Sequence, residues 1–430
     1  MRAAVGWLGA IWLAPLAGAG LYSAFGVNRI SRRAQRLVRE AEAEADPGGA
    51  ESTHETPLAR VGRVVGRSPL TEGNSVEAMA NGTESYPRML EAIRRARTSV
   101  ALTSYIFRSD TVGHAFTDAL LDARARGVEV RVLLDSLGSG FGSLVARRLR
   151  AAGVPVVRFT RDIRPWRMSL LNLRNHKKVL VIDGRIGFVG GLNFSQDNDG
   201  HSPRVRDVHF RIEGPVVRQL VESLDSDLRL ATGRGLEGDG WWPPLAPRGT
   251  VAARGVSSGP DGTVGAIENL LSAAVCEARE RVRIVTPYYL PDRPLSALLR
   301  LAVLRGVRVE IVVPRESDHR FFGWALAAQM RFAARDGLHF HLSEPPFDHA
   351  KLVSVDGRWS AFGSPNWDVR SLRLNFEFLV ECHSAAVAET VDAIIDRRIA
   401  AARPVRASDL RATRPVRLRD AAARLFLPYL

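Results

Sequence analysis

Through most of the chain, apolar positions alternate between two patterns: runs spaced three and four apart, and continuous stretches of five to seven residues. These are the signatures of helices and of strands buried on both faces. Helical spacing covers 86–97, a strand 99–107, and a helix 113–126 that Gly127 stops. A buried strand follows over 128–134, a helix over 143–152 closed by Gly153, and a strand over 154–159. The order then returns. A helix over 266–279 is followed by a strand over 282–286, a helix entered through Pro294 and stopped by Gly306, a strand over 307–313, a long helix closed near Gly337, and a short strand over 338–342. Each half ends in a hairpin signal, 179–182 before Asp183-Gly184 and 352–355 before Asp356-Gly357.

The alternation predicts an α/β protein of two tandem α/β sandwich halves, 76–232 and 263–400, with mostly parallel central strands covered by helices on both faces. Between them, 233–262 is rich in Gly and Pro, contains Trp241-Trp242-Pro243-Pro244, and reads as a linker. Residues 401–430 form a basic amphipathic tail. Its stretch over 418–430 mixes basic and apolar residues at helical spacing and is read either as packing on the domain or as lying on a membrane.

The start of the chain has a different pattern. Residues 3–27 carry no charge, and 25 residues in a helix reach roughly 37 Å, enough to cross a bilayer core of about 30 Å. A single transmembrane helix over 1–28 is therefore expected. Arg2 precedes it, while Arg29, Arg32, Arg33, Arg36 and Arg39 follow, which places the rest of the chain on the cytoplasmic side of a bacterial inner membrane. A cleaved signal peptide ending at Ala17-Gly18-Ala19 is the alternative. The poor basic start and the downstream arginines oppose it. Residues 29–75 read as a basic and acidic tether.

Composition adds limits. The chain has 430 residues, 46% hydrophobic and 25% charged, which excludes disorder and allows two domains. Cys276 and Cys382 match neither a disulfide framework nor a zinc spacing, as expected in a reducing compartment. The net charge is +14, yet only three of the 60 basic residues are lysines: Lys177, Lys178 and Lys351. Such a bias makes the charge weak support for a nucleic-acid partner and draws attention to the lysines.

Two of them sit in a repeated motif. His176-x-Lys178 is followed by Asp183 after four residues and by Gly190-Gly191-Leu192-Asn193 after six more; His349-x-Lys351, Asp356 and Gly363-Ser364-Pro365-Asn366 have the same spacing. Residues two apart on a strand share a face, so each half presents an imidazole beside an ammonium. The Gly allows close backbone approach, and the amides of Asn193 and Asn366 are suited to donate to a phosphoryl oxygen. One chance match in so lysine-poor a chain is expected on the order of a few times in a thousand. Two in register are not an accident.

The doubled motif resembles the phospholipase D superfamily. Asn172-Leu173-Arg174-Asn175-His176, the stretch 206–214, Thr286-Pro287-Tyr288-Tyr289-Leu290-Pro291, Asn366-Trp367-Asp368-Val369-Arg370-Ser371 and Leu374-Asn375-Phe376-Glu377 are similar to bacterial cardiolipin synthases. Those enzymes commonly carry two N-terminal membrane helices where one is read here, and Gly191 stands where the second copy has Ser364.

The resemblance implies two phospholipase D-like halves packed about a pseudo-twofold axis, with His176 and His349 facing one phosphate. His176 would form a phosphohistidine and His349 would act as acid and base, while Lys178, Lys351, Asn193 and Asn366 hold the phosphoryl oxygens. Asp207 is expected to orient the histidine of the first half and Glu377 that of the second, 31 and 28 residues downstream. Asp183 and Asp356 are expected to act structurally within their turns. No metal or other cofactor is required by this scheme. The reaction implied is a phosphatidyl transfer between phospholipids, most simply two phosphatidylglycerols giving cardiolipin and glycerol. Lipid hydrolysis or headgroup exchange is the near alternative, and a nuclease is the distant one, disfavoured by the membrane segment. The other eight histidines have no ligand spacing, and Lys177 is expected to stand aside.

Overall fold

The computed structural model describes residues 56–159, 173–200, 204–260, 263–406 and 408–425. The expected membrane segment over 3–27 lies outside them, and among the described residues no helix is long and apolar enough to cross a membrane.

The first half runs α1 (Pro57–Gly66), β1 (Thr71–Ala80), α2 (Asn81–Arg95), β2 (Ser99–Ser104), α3 (Thr111–Ala125), β3 (Glu129–Asp135), α4 (Leu144–Ala151), β4 (Val156–Phe159), β5 (Val179–Ile182), β6 (Ile186–Gly190), β7 (Val205–Arg206), β8 (Val208–Glu213) and α5 (Val217–Thr232). The second runs β9 (Val251–Ser258), α6 (Ala266–Glu277), β10 (Arg281–Val285), β11 (Tyr289–Leu290), α7 (Arg293–Leu304), β12 (Arg308–Pro314), α8 (Arg320–Ala333), β13 (His339–Ser343), β14 (Phe347–Asp348), β15 (Leu352–Val355), β16 (Trp359–Gly363), β17 (Trp367–Asp368), α9 (Val369–Arg373), β18 (Glu377–His383), α10 (Ala385–Ala400), β19 (Ala402–Pro404) and α11 (Arg414–Leu425).

Fifteen strands form one sheet in the order β19-β13-β12-β10-β15-β16-β18-β9-β1-β8-β6-β5-β2-β3-β4. Read outward from the central β9–β1 pair, the first six strands of the two arms match one for one, and β19 is an extra edge strand on the second. Each half is therefore a copy of the other, joined edge to edge and not merely packed together. Stacked rings of Phe210 on β8 and Phe362 on β16, 3.5 Å between centroids, lie in the core shared by both halves. Two further cores, one per half, fill the opposite layer under α2–α4 and under α6–α8.

Three expectations need correction. The central strands are not mostly parallel. Pairing is parallel among β2, β3 and β4 and among β10, β12 and β13, whereas every pair from β2 inward through β9 and on to β10 is antiparallel. The hairpins impose this, because a two-residue Asp-Gly turn reverses the chain. Nor is 233–262 only a linker. Its residues Val251–Ser258 form β9, held by β18 along seven residue pairs and by β1 on the other edge. Gly255 is needed there, since a Cβ would come 2.5 Å from the Phe378 ring. Finally, the tether assigned to 29–75 ends early. Thr56 caps α1, Pro57 occupies its first turn where no N–H is required, and Leu58 packs into the second-half core. Strand β1 then starts at Thr71.

The turns explain the motif aspartates. Asp183 and Gly184 have φ of 50° and 60°, and Asp356 and Gly357 have φ of 51° and 62°, the left-handed pair at the centre of a turn closed by Arg185 N–H on the Ile182 carbonyl oxygen and by Arg358 N–H on that of Val355. Both carboxylates fasten the turn to the start of the neighbouring strand. Asp183 accepts from the backbone N–H groups of Arg97, Thr98 and Ser99. Asp356 accepts from those of Arg279, Glu280 and Arg281.

Candidate active site at the junction of the halves

His176 and His349 precede β5 and β15, on the segments entering the two hairpins. Each segment crosses into the other half through a short parallel ladder. Asn175 bridges Phe376, with His176 N–H donating to Phe376 carbonyl oxygen at 2.9 Å and Phe376 N–H to Arg174 carbonyl oxygen at 2.8 Å. Correspondingly, β14 pairs with β7, Asp348 opposite Arg206, and His349 N–H donates to Arg206 carbonyl oxygen at 2.7 Å. The residue after each ladder partner is an acid. His176 therefore meets Glu377 (Nδ1 to Oε2, 3.1 Å) and His349 meets Asp207 (Nδ1 to Oδ2, 2.8 Å).

This reverses the expected pairing. Each acid orients the histidine of the opposite half, because the ladder register, and not the spacing within a repeat, decides which imidazole it faces. An Nδ1 bound to a carboxylate carries the proton, which leaves Nε2 with a lone pair.

The two carboxylates are differently supported. Glu377 is fully buried and accepts from the hydroxyls of Ser364 and Ser371 and from the Asn375 amide at 3.1 Å. Burial alone would raise its pKa, but His176, Lys178 and the Ser364 hydroxyl outweigh it and hold Glu377 below the usual range. Asp207 accepts from Val208 N–H at 2.7 Å and has no hydroxyl partner, since Gly191 occupies the place of Ser364. Burial pushes it up to about 7 against the pull of Lys351. Gly191 is also a spatial necessity, as a Cβ would come 2.3 Å from Asp207 Oδ1.

Burial lowers His176 to about 4, with Glu377 opposing and Lys178 assisting. It takes His349 well below its ordinary value, assisted by Lys351 and Lys178. Both imidazoles are thus neutral near pH 7. Burial likewise brings Lys178 to about 7 and Lys351 to about 8; Glu377 and Asp207 hold both up, and Lys351 lowers Lys178 further. The ammonium groups bond to the carbonyl oxygens of their own motif histidines, Lys178 to His176 at 2.7 Å and Lys351 to His349. Asn193 lies at the end of β6, its Oδ1 accepting from Ile106 N–H at 3.3 Å, and Asn366 is buried with its Oδ1 unpaired. Both lie just past the returning strands of the hairpins.

Several neighbours were not singled out from the sequence. Tyr105 packs edge-on against His176 at 4.9 Å and lies 5.3 Å from Lys178 Nζ. Asp135, at the end of β3, accepts from Asn175 N–H at 2.9 Å. Tyr288 donates to Asp318. The parallel βαβ arrangement was the available signal, because loops after the carboxyl ends of such strands form the crevice. Lys177 points away, paired with Asp227 on α5 at 2.8 Å and with Ser223 at 2.9 Å. His209 is buried and neutral, lowered to about 3 by burial. Among the described residues no three His, Cys, Asp or Glu side chains converge to hold a metal ion. A cavity of about 380 Å³ opens beside Phe347, whose ring lies 6.2 Å from that of His349. A larger one of about 620 Å³ lies at the outer edge between α8, β13 and α11, away from His176 and His349; chemistry, not volume, locates the site.

Two copies of one α/β unit sharing a sheet, with a histidine and a lysine from each converging on a common centre, define the phospholipase D superfamily. A sequence profile described as "Cardiolipin synthase, PLD-like domain" matches residues 89–225 and 271–399. The chain is 35% identical over 377 residues to cardiolipin synthase A of Pseudomonas putida, covering 85% of this chain and 77% of that protein. It is 32% identical over 369 residues to the major cardiolipin synthase of Bacillus subtilis, covering 84% and 76%. The chain belongs to the cardiolipin synthase family. The crystal structure of a phosphatidylserine synthase from Haemophilus influenzae matches with a TM-score of 0.68 at 14% identity, over 87% of this chain and 100% of that one, a likeness of fold.

Proposed function

We propose that this phosphatidyltransferase joins two phosphatidylglycerols into cardiolipin and glycerol through a phosphohistidine, at the cytoplasmic face of a bacterial membrane. The observation that carries the mechanism is the pair of crossed histidine–carboxylate contacts beside two buried lysines. His176 Nε2 attacks phosphorus of the donor lipid, the bond from phosphorus to the glycerol oxygen breaks, and His349 gives that oxygen a proton. His349 then takes the proton of the acceptor's hydroxyl, whose oxygen attacks phosphorus and releases His176. Lys178, Lys351, Asn193 and Asn366 hold the phosphoryl oxygens as charge shifts onto them.

His176 is favoured as attacker because Glu377 stays ionised beside it, bound by three side-chain donors besides the imidazole. After burial, Lys351 and Lys178 are what depress His349, so the arriving phosphodiester anion raises its proton affinity, and His349 takes up a proton from water at Nε2 before acting as the acid.

The test is to supply phosphatidylglycerol vesicles to the full chain and follow products by mass. Cardiolipin with an equal amount of glycerol is expected, and His176→Ala and His349→Ala should each abolish it. Phosphatidic acid as the main product would replace transfer by hydrolysis. Turnover surviving either histidine substitution would overturn the two-histidine scheme.

A further inference from the structure

Large apolar side chains left in water are few among the described residues, and six of the nine lie on three segments, the one from β3 into α4, helix α8 and helix α11. In the first half Leu137, Phe141 and Leu144 are exposed on the loop from β3 into α4, Phe141 to 54%. That loop packs on the site, since Ser139 donates to the Tyr105 carbonyl oxygen at 2.9 Å and Tyr105 packs against His176. In the second half the matching position, after β12, begins α8. Phe321 and Phe332 there are 45% and 53% exposed. Eleven residues is close to three whole turns, so both rings share one helical face with Trp324. Helix α11 lies alongside, held by Arg331–Asp420 and by Ala423 packed near Ala325, with Leu418 73% exposed. The first turn of α8 reaches the site through rings, Phe322 to Tyr288 at 4.5 Å, Tyr288 to Phe347 at 6.1 Å and Phe347 to His349 at 6.2 Å.

The aromatic face is paired with cations. Arg419 stands over Trp324 at 4.7 Å, Arg320 over the same ring at 5.9 Å, and Arg424 over Phe332 at 4.7 Å. Arginine beside half-exposed aromatic rings suits the headgroup region of an anionic bilayer: the rings enter the interface and the guanidinium groups meet phosphates. A patch of this kind on a rim, with polar surroundings, marks an interaction surface.

We propose that the β3–α4 loop and the first turns of α8, with Arg419 of α11 beside them, form a membrane-insertion rim, which seats the mouth of the site on an anionic bilayer so that lipid enters without leaving it. The proposal rests on phospholipid being the substrate. Loops after β3 and β12 lie at the same end of the parallel strands as the histidines, whereas the exposed Leu304 precedes β12 and, like Phe332 before the parallel β13, lies toward the opposite end, providing an internal control.

The test uses the full chain with Cys276→Ser, in vesicles of phosphatidylglycerol and phosphatidylcholine. Single cysteines replacing Phe141, Phe321 or Leu304 carry an environment-sensitive fluorophore, read against lipids bearing a quencher near the glycerol backbone. Labels at 141 and 321 should be quenched and blue-shifted, the label at 304 neither. Equal behaviour at all three positions would overturn the rim, and equal quenching in phosphatidylcholine alone would overturn its preference for anionic lipid. This readout is independent of turnover, so it stands or falls apart from the transferase reading. In a second arm, Phe141→Asp with Phe321→Asp should lose at least tenfold more activity on vesicles than on water-soluble dihexanoyl phosphatidylglycerol. Equal loss on both would assign these rings to folding or chemistry instead.

Discussion

Asp207 accepts its hydrogen bond from His349, 142 residues further along the chain and in the opposite half, and not from the histidine of its own repeat. Glu377 and His176 mirror the arrangement across 201 residues. Neither half holds a complete orienting pair.

Removing an orienting charge should therefore act on the opposite half. Asp207→Asn is expected to slow turnover as a weakened His349 would, with the phosphatidyl group accumulating on His176, while Glu377→Gln should prevent that adduct from forming. Losses on the order of 10³-fold in kcat are expected, by analogy with other histidine-orienting carboxylates. Labelled donor lipid trapped on the protein by rapid acid quench separates the two outcomes. The reverse assignment would contradict the crossed pairing.

Restoring apparent symmetry at Gly191 should be harmful. Gly191→Ser places a Cβ 2.3 Å from Asp207 Oδ1, so the carboxylate must shift away from His349. A fall of about 10²-fold in kcat is expected, since an angstrom of misplacement has that scale of effect. Steady-state kinetics beside a melting curve would distinguish loss of positioning from loss of fold.

Lys177 belongs to stability. It and Asp227 are each about 2% exposed and paired at 2.8 Å, and Asp227 also accepts from the Asn175 amide at 2.7 Å. Lys177→Met leaves a carboxylate buried without its cation and should cost about 3 kcal/mol or more in unfolding free energy, measured by urea denaturation. Adding Asp227→Leu should recover part of that cost, because no buried charge is then left unpaired.

The pH profile of kcat/KM should fall on both sides. Lys178 at about 7 and Lys351 at about 8 lose their charge as pH rises, removing cations from the phosphate site, so activity declines above neutrality. His176, lowered to about 4, loses its attacking lone pair only when protonated, which puts the acid limb far below the ordinary histidine range. Profiles in several buffers check both limbs. An alkaline limb near the ordinary lysine value would contradict the burial of the ammonium groups.

The sequence displayed the hairpins plainly, since Asp-Gly turns and apolar four-residue strands leave little choice of register, and the matching spacings marked His176, Lys178, His349 and Lys351 together. It did not display the crossed acids. Distances of 31 and 28 residues are consistent with either pairing, and only the ladders of β7 with β14 and of Asn175 with Phe376 decide. Strand β9 was hidden because Val251–Ser258 contains small residues and a glycine in a Pro-rich stretch, and its stability comes from neighbours distant in sequence. Helix α1 was hidden for a related reason, Pro57 reading as a breaker although it begins a helix.

The division of each pair between halves has a consequence for the life of the molecule. During synthesis the first half emerges with His176, Lys178 and Asp207, but its histidine has no carboxylate and its carboxylate has no histidine until residues 349 and 377 have left the ribosome and folded. Under the proposed mechanism a partly made chain near lipid is therefore chemically silent, and reactivity arises in one step when β18 and β9 close the sheet.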